Sequence, residues 1–360
     1  MKFLNDLNNN DLIICDSRTR DVILLEMSKK NIFLNLKFMS LSEFYKHFFF
    51  SYDEETLYYV KNKYQVTREL GAIYLDNLKY VINSKSNNFK VKFLQELFLD
   101  LKKTNLLKFD NMFKDYLKQK QIIILDTIDD FTLNILKPYD YKIIKKDLKI
   151  RTTKIIYHFK TIEDEVEYVF NKISEFIKSG IMIENIKLIC LGNEYERILK
   201  RFAYLYNIPL TGVESNSIYA TTRALEFRGL IKSGKTNQEI YEYLETNLDK
   251  EMTSDFLNII NKYYFVSDLS LVLDFIDNDL KNTKIKSLVN KKSVEIIDLN
   301  SYLVNDENYV FILGFNNENI PKTYKDIDYF NDDLKSELGL SSSFLKNGQA
   351  RSNAIANING

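Results

Sequence analysis

Short apolar runs alternate along this chain with longer stretches in which apolar residues recur every three or four positions. The short runs are rich in β-branched and aromatic residues and are bounded mostly by polar residues or Gly, which predicts buried strands. They lie at Leu12–Cys15, Ile122–Leu125, Ile155–Phe159, Ile186–Leu191, Val294–Ile297 and Tyr309–Leu313. Because strands and helices alternate, the pattern predicts an α/β fold with two parallel sheets.

The longer stretches have the spacing of amphipathic helices. Two of them, at about 54–120 and 215–290, are long enough to form helical insertions. Another helix begins at Thr161, whose side chain is predicted to cap it toward Asp164, and ends at Gly180. A further helix is predicted to begin near residue 40, with Ser42 as its cap.

The order of these elements predicts two domains within the 360 residues. The first covers residues 1–150 and contains the insertion at about 54–120. The second covers residues 151–340 and contains the insertion at about 215–290. Residues 341–360 are polar and lack a sustained period, so we predict a disordered or truncated tail.

The charge balance does not indicate a nucleic-acid-binding protein, because 50 basic residues face 50 acidic ones. One local excess lies between Lys85 and Lys120, with nine Lys against four acids. A Lys-rich helix is most often a solvated face. If the chain binds DNA weakly, Lys102 and Lys103 in this region are predicted to contribute.

The chain lacks sequence features of a membrane or metal-binding protein. Cys15 and Cys190 each lie in an apolar run and are predicted to be reduced core thiols. His47 and His158 are far apart and have no nearby ligand spacing, so no metal site is predicted. There is no signal peptide and no run of 18 apolar residues, which favours a cytoplasmic protein.

The stretch from Ser293 to Leu340 carries a resemblance to a known family. The strand Val294–Ile297 is followed by the strand Tyr309–Leu313, then by Gly314 and by Ile320-Pro321. This order resembles the second RecA-like domain of UvrD-type helicases. It is more similar to the AddB/RexB-type subunit of bacterial ATP-dependent helicase–nucleases, in which the helicase motifs are degenerate. The resemblance implies two RecA-like parallel-sheet domains with helical insertions.

Several positions depart from the pattern of working helicases. Asp298 stands where the family has a Thr that contacts a DNA phosphate, and Asn300 replaces a His. Leu303 and Val304 replace Lys-Gly. An acid repels the phosphate backbone, since phosphate contacts need donors or positive charge. Of the polar contacts after the strand at Ile186–Leu191, only Asn193 is kept, as a weak DNA contact.

The first domain also lacks the parts of a working ATPase. No Gly-rich phosphate loop occurs in residues 1–10 or elsewhere ahead of the strand that ends in Asp126. In P-loop enzymes an acid at that place holds Mg²⁺ through water. A strand ending in Asp is common in α/β proteins, so we predict no metal, no cofactor and no catalytic residue here.

One segment does match a phosphate loop letter for letter, from Gly229 through Gly234 and Lys235 to Thr236. A phosphate loop needs a buried strand leading into its Gly-rich turn. Here the preceding residues, 217–232, have helical spacing instead. Gly234 is predicted to end that helix, and Thr236 with Glu239 to form a capping box for the next. We therefore predict that the match is a decoy.

These observations predict a helicase-like scaffold subunit without a motor activity of its own. The resemblance implies a role in DNA double-strand-break repair and recombination, with DNA and an AddA-type helicase–nuclease motor subunit as partners. It also implies a PD-(D/E)XK exonuclease domain, whose clustered carboxylates are not found, so we expect the chain to be truncated before it. Two alternatives remain open: a P-loop NTPase using Gly229–Thr236, and an unrelated α/β interaction protein.

Overall fold

In the computed structural model of the protein, eight strands of the described residues pair into two all-parallel sheets. The first sheet has the order β2-β1-β3-β4 and the second has the order β6-β7-β5-β8. The strands are β1 (Leu12–Ile14), β2 (Lys37–Met39), β3 (Ile122–Ile124), β4 (Tyr141–Ile143), β5 (Ile186–Cys190), β6 (Leu210–Thr211), β7 (Val294–Ile297) and β8 (Tyr309–Leu313). The predicted α/β class with two parallel sheets is confirmed.

The structure describes most of the chain. The described ranges are residue 4 and residues 7–125, 128–144, 155–192, 194–212, 217–247, 250–285, 292–297, 309–316, 318–321 and 323–359.

Fifteen α-helices lie within the described ranges. They are α1 (Ser17–Lys29), α2 (Leu41–Phe48), α3 (Glu54–Tyr64), α4 (Arg68–Val81), α5 (Phe89–Lys103), α6 (Phe113–Lys118), α7 (Asp130–Leu136), α8 (Ile162–Lys178), α9 (Tyr195–Tyr206), α10 (Thr222–Lys232), α11 (Asn237–Asn247), α12 (Lys250–Ile260), α13 (Leu273–Asn282), α14 (Asp332–Glu337) and α15 (Ser343–Asn359). Short 3-10 turns lie at Ile183–Asn185, Ile218–Ala220, Asn261–Tyr263 and Leu269–Val272. No helix in these ranges combines the length and apolarity needed to cross a bilayer.

The chain divides into two compact units, and each unit is assembled from separate segments of the sequence. Unit 1 contains Met1–Phe49, Asp110–Val213 and Val289–Gly360, and unit 2 contains Phe50–Phe109 and Glu214–Leu288. Both sheets therefore belong to unit 1. Helices α3 to α5 of the first insertion and α10 to α13 of the second belong to unit 2, whereas α6 belongs to unit 1. In unit 2 the ring of Tyr58 packs against the rings of Phe265 and Phe275.

The central strands of the first sheet are buried on both faces. All residues of β1 and β3 are buried, and Leu12 pairs with Lys37 on one side and Ile122 on the other. Strands of a parallel sheet are continuous apolar runs because helices cover both faces. This explains why two short runs of Ile and Leu, far apart in sequence, could be predicted as strands.

The core of the second sheet is formed by α8 and α9 packing on the same face. Phe170 of α8 and Leu199 of α9 meet Leu188 of β5 in one buried cluster. The predicted Thr161 cap is confirmed, since its side-chain oxygen accepts a hydrogen bond from the amide of Asp164 at 3.1 Å. Gly180 has a φ of 94° and follows the last turn of α8, as predicted.

The predicted strand at Ile155–Phe159 is wrong. These residues pair with no described strand, and Ile155 and Ile156 are 70% and 85% exposed. The rings of Tyr157 and Phe159 instead pack on Tyr168 of α8, at 4.7 and 5.2 Å between centroids. A strand is stabilised by neighbours that bury one of its faces, and a local apolar run does not show whether such neighbours exist.

Three helix boundaries also differ from the prediction. The cap of α2 is Ser40 rather than Ser42, because Ser40 and Glu43 exchange hydrogen bonds in a capping box. The helix predicted from residue 217 begins after a 3-10 turn, where Thr221 caps α10. The prediction for residues 341–360 is a disordered or truncated tail, whereas α15 occupies Ser343–Asn359. Ser343 at its start binds Asp332 through its amide at 2.8 Å and through its hydroxyl.

Candidate functional site: the carboxyl edge of the second sheet

The carboxyl ends of β5 and β8 lie side by side. The two strands are parallel neighbours, with Cys190 paired with Leu313 at their last residues. In open α/β sheets, ligands bind in the crevice outside the carboxyl ends of the strands. This edge therefore has the position at which open α/β sheets bind their ligands.

A single carboxylate joins three elements at this edge. Glu165, in the first turn of α8, accepts a hydrogen bond from the backbone amide of Gly314 at 3.1 Å through Oε1. Its Oε2 accepts a hydrogen bond from the hydroxyl of Tyr195, the first residue of α9. We call these three residues the Glu165 clasp. A carboxylate in the first turn of a helix is also favoured by the helix dipole.

The loop after β8 is held in a fixed shape around Gly314. Gly314 has a φ of 74°, and a Cβ on it would lie 3.0 Å from the ring of Tyr195. Its carbonyl accepts a hydrogen bond from Nδ2 of Asn319 at 3.0 Å. Asn316 closes the turn, because its carbonyl accepts from the amide of Ile320 at 2.9 Å. Gly suits this position because it adopts the left-handed backbone conformation and has no Cβ to meet the Tyr195 ring.

The titratable groups beside the clasp are held neutral. Burial, with a further contribution from the charge of Glu165, raises the pKa of the Cys190 thiol to about 12. Burial and the hydrogen bond to Glu165 also raise the pKa of Tyr195. The thiolate is the nucleophilic form of cysteine, and Cys190 does not reach it near neutral pH. The edge is thus arranged for hydrogen bonding within the protein rather than for nucleophilic chemistry.

Phosphate binding is disfavoured at the start of α8. Two further acids, Glu163 and Asp164, are exposed in the same turn as Glu165. A free helix N-terminus attracts anions, but three carboxylates in its first turn repel them. The carboxyl edge described here can therefore brace strands and helices, and its charge opposes a nucleotide.

Several residues singled out from the sequence lie outside the described residues. These are Asn193, Asp126, Asp298, Asn300, Leu303 and Val304. Their predicted roles stay predictions.

Lys102 and Lys103 lie in the last turn of α5, in unit 2, and both are exposed. The Lys-rich stretch to which they belong is divided between the two units, and part of its charge is neutralised. Lys108 binds Asp53 at 2.6 Å in unit 2, and Lys118 binds Asp115 at 2.8 Å in unit 1. The local excess of Lys in the sequence is thus split between two units, and two of its lysines bind carboxylates.

The segment that matches a phosphate loop is the junction of two helices. Gly229 lies inside α10, and Gly234 follows it with a φ of 72°. The amides of Gly234 and Lys235 donate to the carbonyls of Ile231 and Leu230, which is the Schellman pattern of a helix end. The predicted helix end is confirmed.

The next helix begins with the predicted capping box. The amide of Thr236 donates to Glu239 Oε2 at 2.8 Å, and the amide of Glu239 donates to the Thr236 hydroxyl at 3.3 Å. Lys235 Nζ binds Glu239 Oε1 at 2.6 Å on the protein surface. A lysine of a phosphate loop points into the nest of amides, whereas Lys235 is bound to a neighbouring carboxylate.

No group of three or more His, Cys, Asp or Glu in the described ranges is placed to hold a metal ion. His47 binds Asp110 at 2.9 Å, and His158 is exposed.

Sequence reasoning missed the Glu165 clasp. Glu165 and Gly314 are separated by 149 positions, so no local spacing connects them. The sequence does carry two weak signals: an acid in the first turn of a capped helix, and a Gly directly after a predicted strand. Neither signal specifies that the two residues meet.

The chain matches no protein-family model, and a search of curated proteins found no similar sequence.

Proposed function

We propose that this chain is a non-motor, helicase-like scaffold with two RecA-like sheets, related to AddB/RexB-type subunits. It acts in DNA repair beside an AddA-type motor subunit and contacts DNA without hydrolysing ATP. Support comes first from the architecture. Two all-parallel four-stranded sheets alternate with helices, and helices from the two insertions pack together in a unit of their own.

The observation that carries the proposal is the Glu165 clasp. At the edge where α/β proteins bind ligands, both carboxylate oxygens of Glu165 are used by Gly314 and Tyr195. An NTPase needs donors and cations at such a place to cradle phosphate. Here a carboxylate fixes the loop after β8 to the starts of α8 and α9. This arrangement favours a scaffold over an enzyme.

The phosphate-loop alternative gains no support from the surroundings of Lys235. Its ammonium is bound to Glu239, and the turn at Gly234 is explained by the end of α10. We therefore keep the scaffold as the proposed function.

Co-purification with a motor subunit tests the proposal. The chain would be co-expressed with an AddA-type subunit from the same genome, and the complex would be measured by size-exclusion chromatography with light scattering. We expect a stoichiometric complex and a higher yield of soluble motor subunit than from expression alone. A UvrD-type helicase that works as a monomer is the matched control. Failure to form a complex, or equal binding to the control helicase, would contradict the proposal.

A further inference from the structure

One face of α9 is basic and aromatic along its whole length. Arg197, Lys200, Arg201 and Tyr204 follow one another at spacings of three, one and three residues, which places them on one side of the helix. All four are exposed. The opposite side of the helix carries Leu199 and the other residues that pack into the core of the second sheet. We call the exposed side the α9 face.

The α9 face carries net positive charge. From Arg197 to Val213 the sequence has three cations and no acid. Lys200 binds Glu196, one turn earlier, so that pair is neutral. Arg197 and Arg201 form no ion pair within the part of the chain that the structure describes. Two guanidinium groups without carboxylate partners, one helical turn apart, therefore lie at the surface. That of Arg201 lies over the ring of Phe202, 5.0 Å from its centroid.

Arg197 and Arg201 differ in this respect from four other arginines of the protein. Only nine of the 50 basic residues are Arg. Four of the nine each bind a carboxylate, with nitrogen–oxygen distances of 2.6–3.2 Å. They are Arg20, Arg68, Arg223 and Arg228. Arg is the side chain best suited to phosphate, because its fork can donate two parallel hydrogen bonds.

An aromatic ring extends this basic surface. Tyr204 is 87% exposed, and the neighbouring Leu205 is 64% exposed. A shallow groove beside the end of the helix is lined by Lys200, Tyr204, Asn207 and Pro209, among others. An exposed ring next to cations offers a flat surface on which a nucleobase can stack.

We propose that the α9 face binds single-stranded DNA, with Arg197 and Arg201 contacting phosphates and Tyr204 stacking on a base. Single-strand-binding proteins combine these two features, a cationic track and aromatic rings. Duplex DNA fits less well, because its bases are not free to stack on Tyr204. This inference deepens the proposed function by giving the scaffold a DNA contact. This DNA contact on α9 is separate from the DNA contact predicted at Lys102 and Lys103.

Fluorescence anisotropy with a labelled oligo-dT strand tests the inference on the full chain. Two phosphate contacts on a single strand contribute about 1.4 to the slope of log affinity against log salt. We expect a dissociation constant on the order of 10⁻⁴ to 10⁻⁶ M at physiological salt, and a slope lower by about 1.4 in the Arg197→Ala/Arg201→Ala double variant. Tyr204→Ala is expected to weaken binding roughly 5- to 150-fold.

Matched controls separate this surface from the rest of the protein. Lys30→Ala/Lys46→Ala removes two exposed cations outside the α9 face and is expected to leave binding unchanged. Lys102→Ala/Lys103→Ala tests the other predicted DNA contact separately. Circular dichroism would show that each variant is folded. The inference is overturned if the α9 variants bind like the parent chain, if only the Lys102/Lys103 variant loses affinity, or if the parent chain does not bind the strand.

A competition experiment separates DNA from an acidic protein partner. A poly-glutamate peptide at equal charge concentration should displace the oligo-dT strand poorly, because it offers no base to Tyr204. Equal displacement would overturn the inference in favour of an acidic peptide. Complex formation with the motor subunit is measured separately. If the complex with the motor subunit forms normally but the α9 variants do not change the affinity for the oligo-dT strand, this inference alone is rejected. The proposed function then stands.

Discussion

The backbone amide of Gly314 donates a hydrogen bond to Glu165 across 149 positions of sequence, at 3.1 Å. This bond joins the loop after β8 to the first turn of α8, and the Tyr195 hydroxyl adds α9 to the same carboxylate. The carboxyl edge of the second sheet is thereby braced from within.

Glu165→Ala should destabilise unit 1. It removes the acceptor of two hydrogen bonds, and a hydrogen bond to a charged group contributes about 1.5–3 kcal/mol. We expect the free energy of unfolding, measured by urea denaturation, to fall by about that amount. Glu165→Gln keeps an acceptor of similar shape. Its loss of unfolding free energy should be less than half of the loss caused by Glu165→Ala. Equal losses for Ala and Gln would contradict the role given to the two hydrogen bonds.

Gly314→Ala should also be destabilising, for a different reason. The new Cβ would lie 3.0 Å from the Tyr195 ring, on a residue whose φ is 74°. A left-handed backbone costs a non-Gly residue about 1–2 kcal/mol. Urea denaturation should therefore show a loss of at least this size. Gly229→Ala, inside α10 and with open space around its Cα, is the matched control and should be neutral or stabilising. The reverse ranking of the two variants would refute this account of Gly314.

If the segment around Gly234 is a helix junction, substitutions in it should change stability and not nucleotide binding. A phosphate loop would show the opposite. Thr236→Ala removes an N-terminal cap and should lower the free energy of unfolding by about 0.5–2 kcal/mol. Lys235→Ala breaks only a surface ion pair, so its effect should fall within the error of the measurement. Neither variant should change the thermal shift on adding Mg-ATP. A parent-chain shift that Lys235→Ala abolishes would instead identify a nucleotide site.

The contacts at the start of α14 should respond to acid. Lys335, which is buried, binds Asp328 at 2.8 Å and Asp332 at 3.1 Å. Hydrogen bonds from the Ser343 hydroxyl and amide, together with Lys335, lower the pKa of Asp332 to about 2. A carboxylate in an unfolded chain has a pKa of about 3.9. Its contribution to stability is therefore fully present above that pH and is lost as the pH falls through about 2.

Asp332→Asn tests this pH dependence. The variant should be less stable than the parent chain at pH 6, and the difference in unfolding free energy should shrink as the pH approaches 2. Chemical denaturation at a series of pH values provides the measurement. Asp333→Asn, on the neighbouring exposed position of α14, is the control and should show no such change. A difference between parent and Asp332→Asn that is independent of pH would refute the assignment.

Much of the fold was predictable because its signals are local. The runs at Val294–Ile297 and Tyr309–Leu313 appear as strands with the predicted bounds. Each rests on residues that are neighbours in sequence. The run at Ile155–Phe159 has the same composition but lies exposed, because no described strand pairs with it. The composition of a run indicates its β-propensity, whereas strand pairing depends on whether the fold places another strand beside it.

The site itself was less predictable than the fold. The match at Gly229–Thr236 could be interpreted as a helix junction, since capping boxes and helix ends are formed by residues that are close together in the sequence. The Glu165 clasp could not, because it joins residues that the sheet order brings together. The α9 face was also missed, since a solvated helix and a binding helix share the same period. Only the exposure of Tyr204 and the lack of carboxylate partners for Arg197 and Arg201 distinguish it.

ATP turnover by the complex with a disabled motor tests the central claim most directly. The motor subunit would carry an Ala in place of its phosphate-loop Lys, and turnover would be measured with and without single-stranded DNA. If this chain is a scaffold, the complex should form and show no ATP turnover above buffer under either condition. DNA-stimulated turnover that remains with the disabled motor, and that Lys235→Ala then removes, would contradict the account.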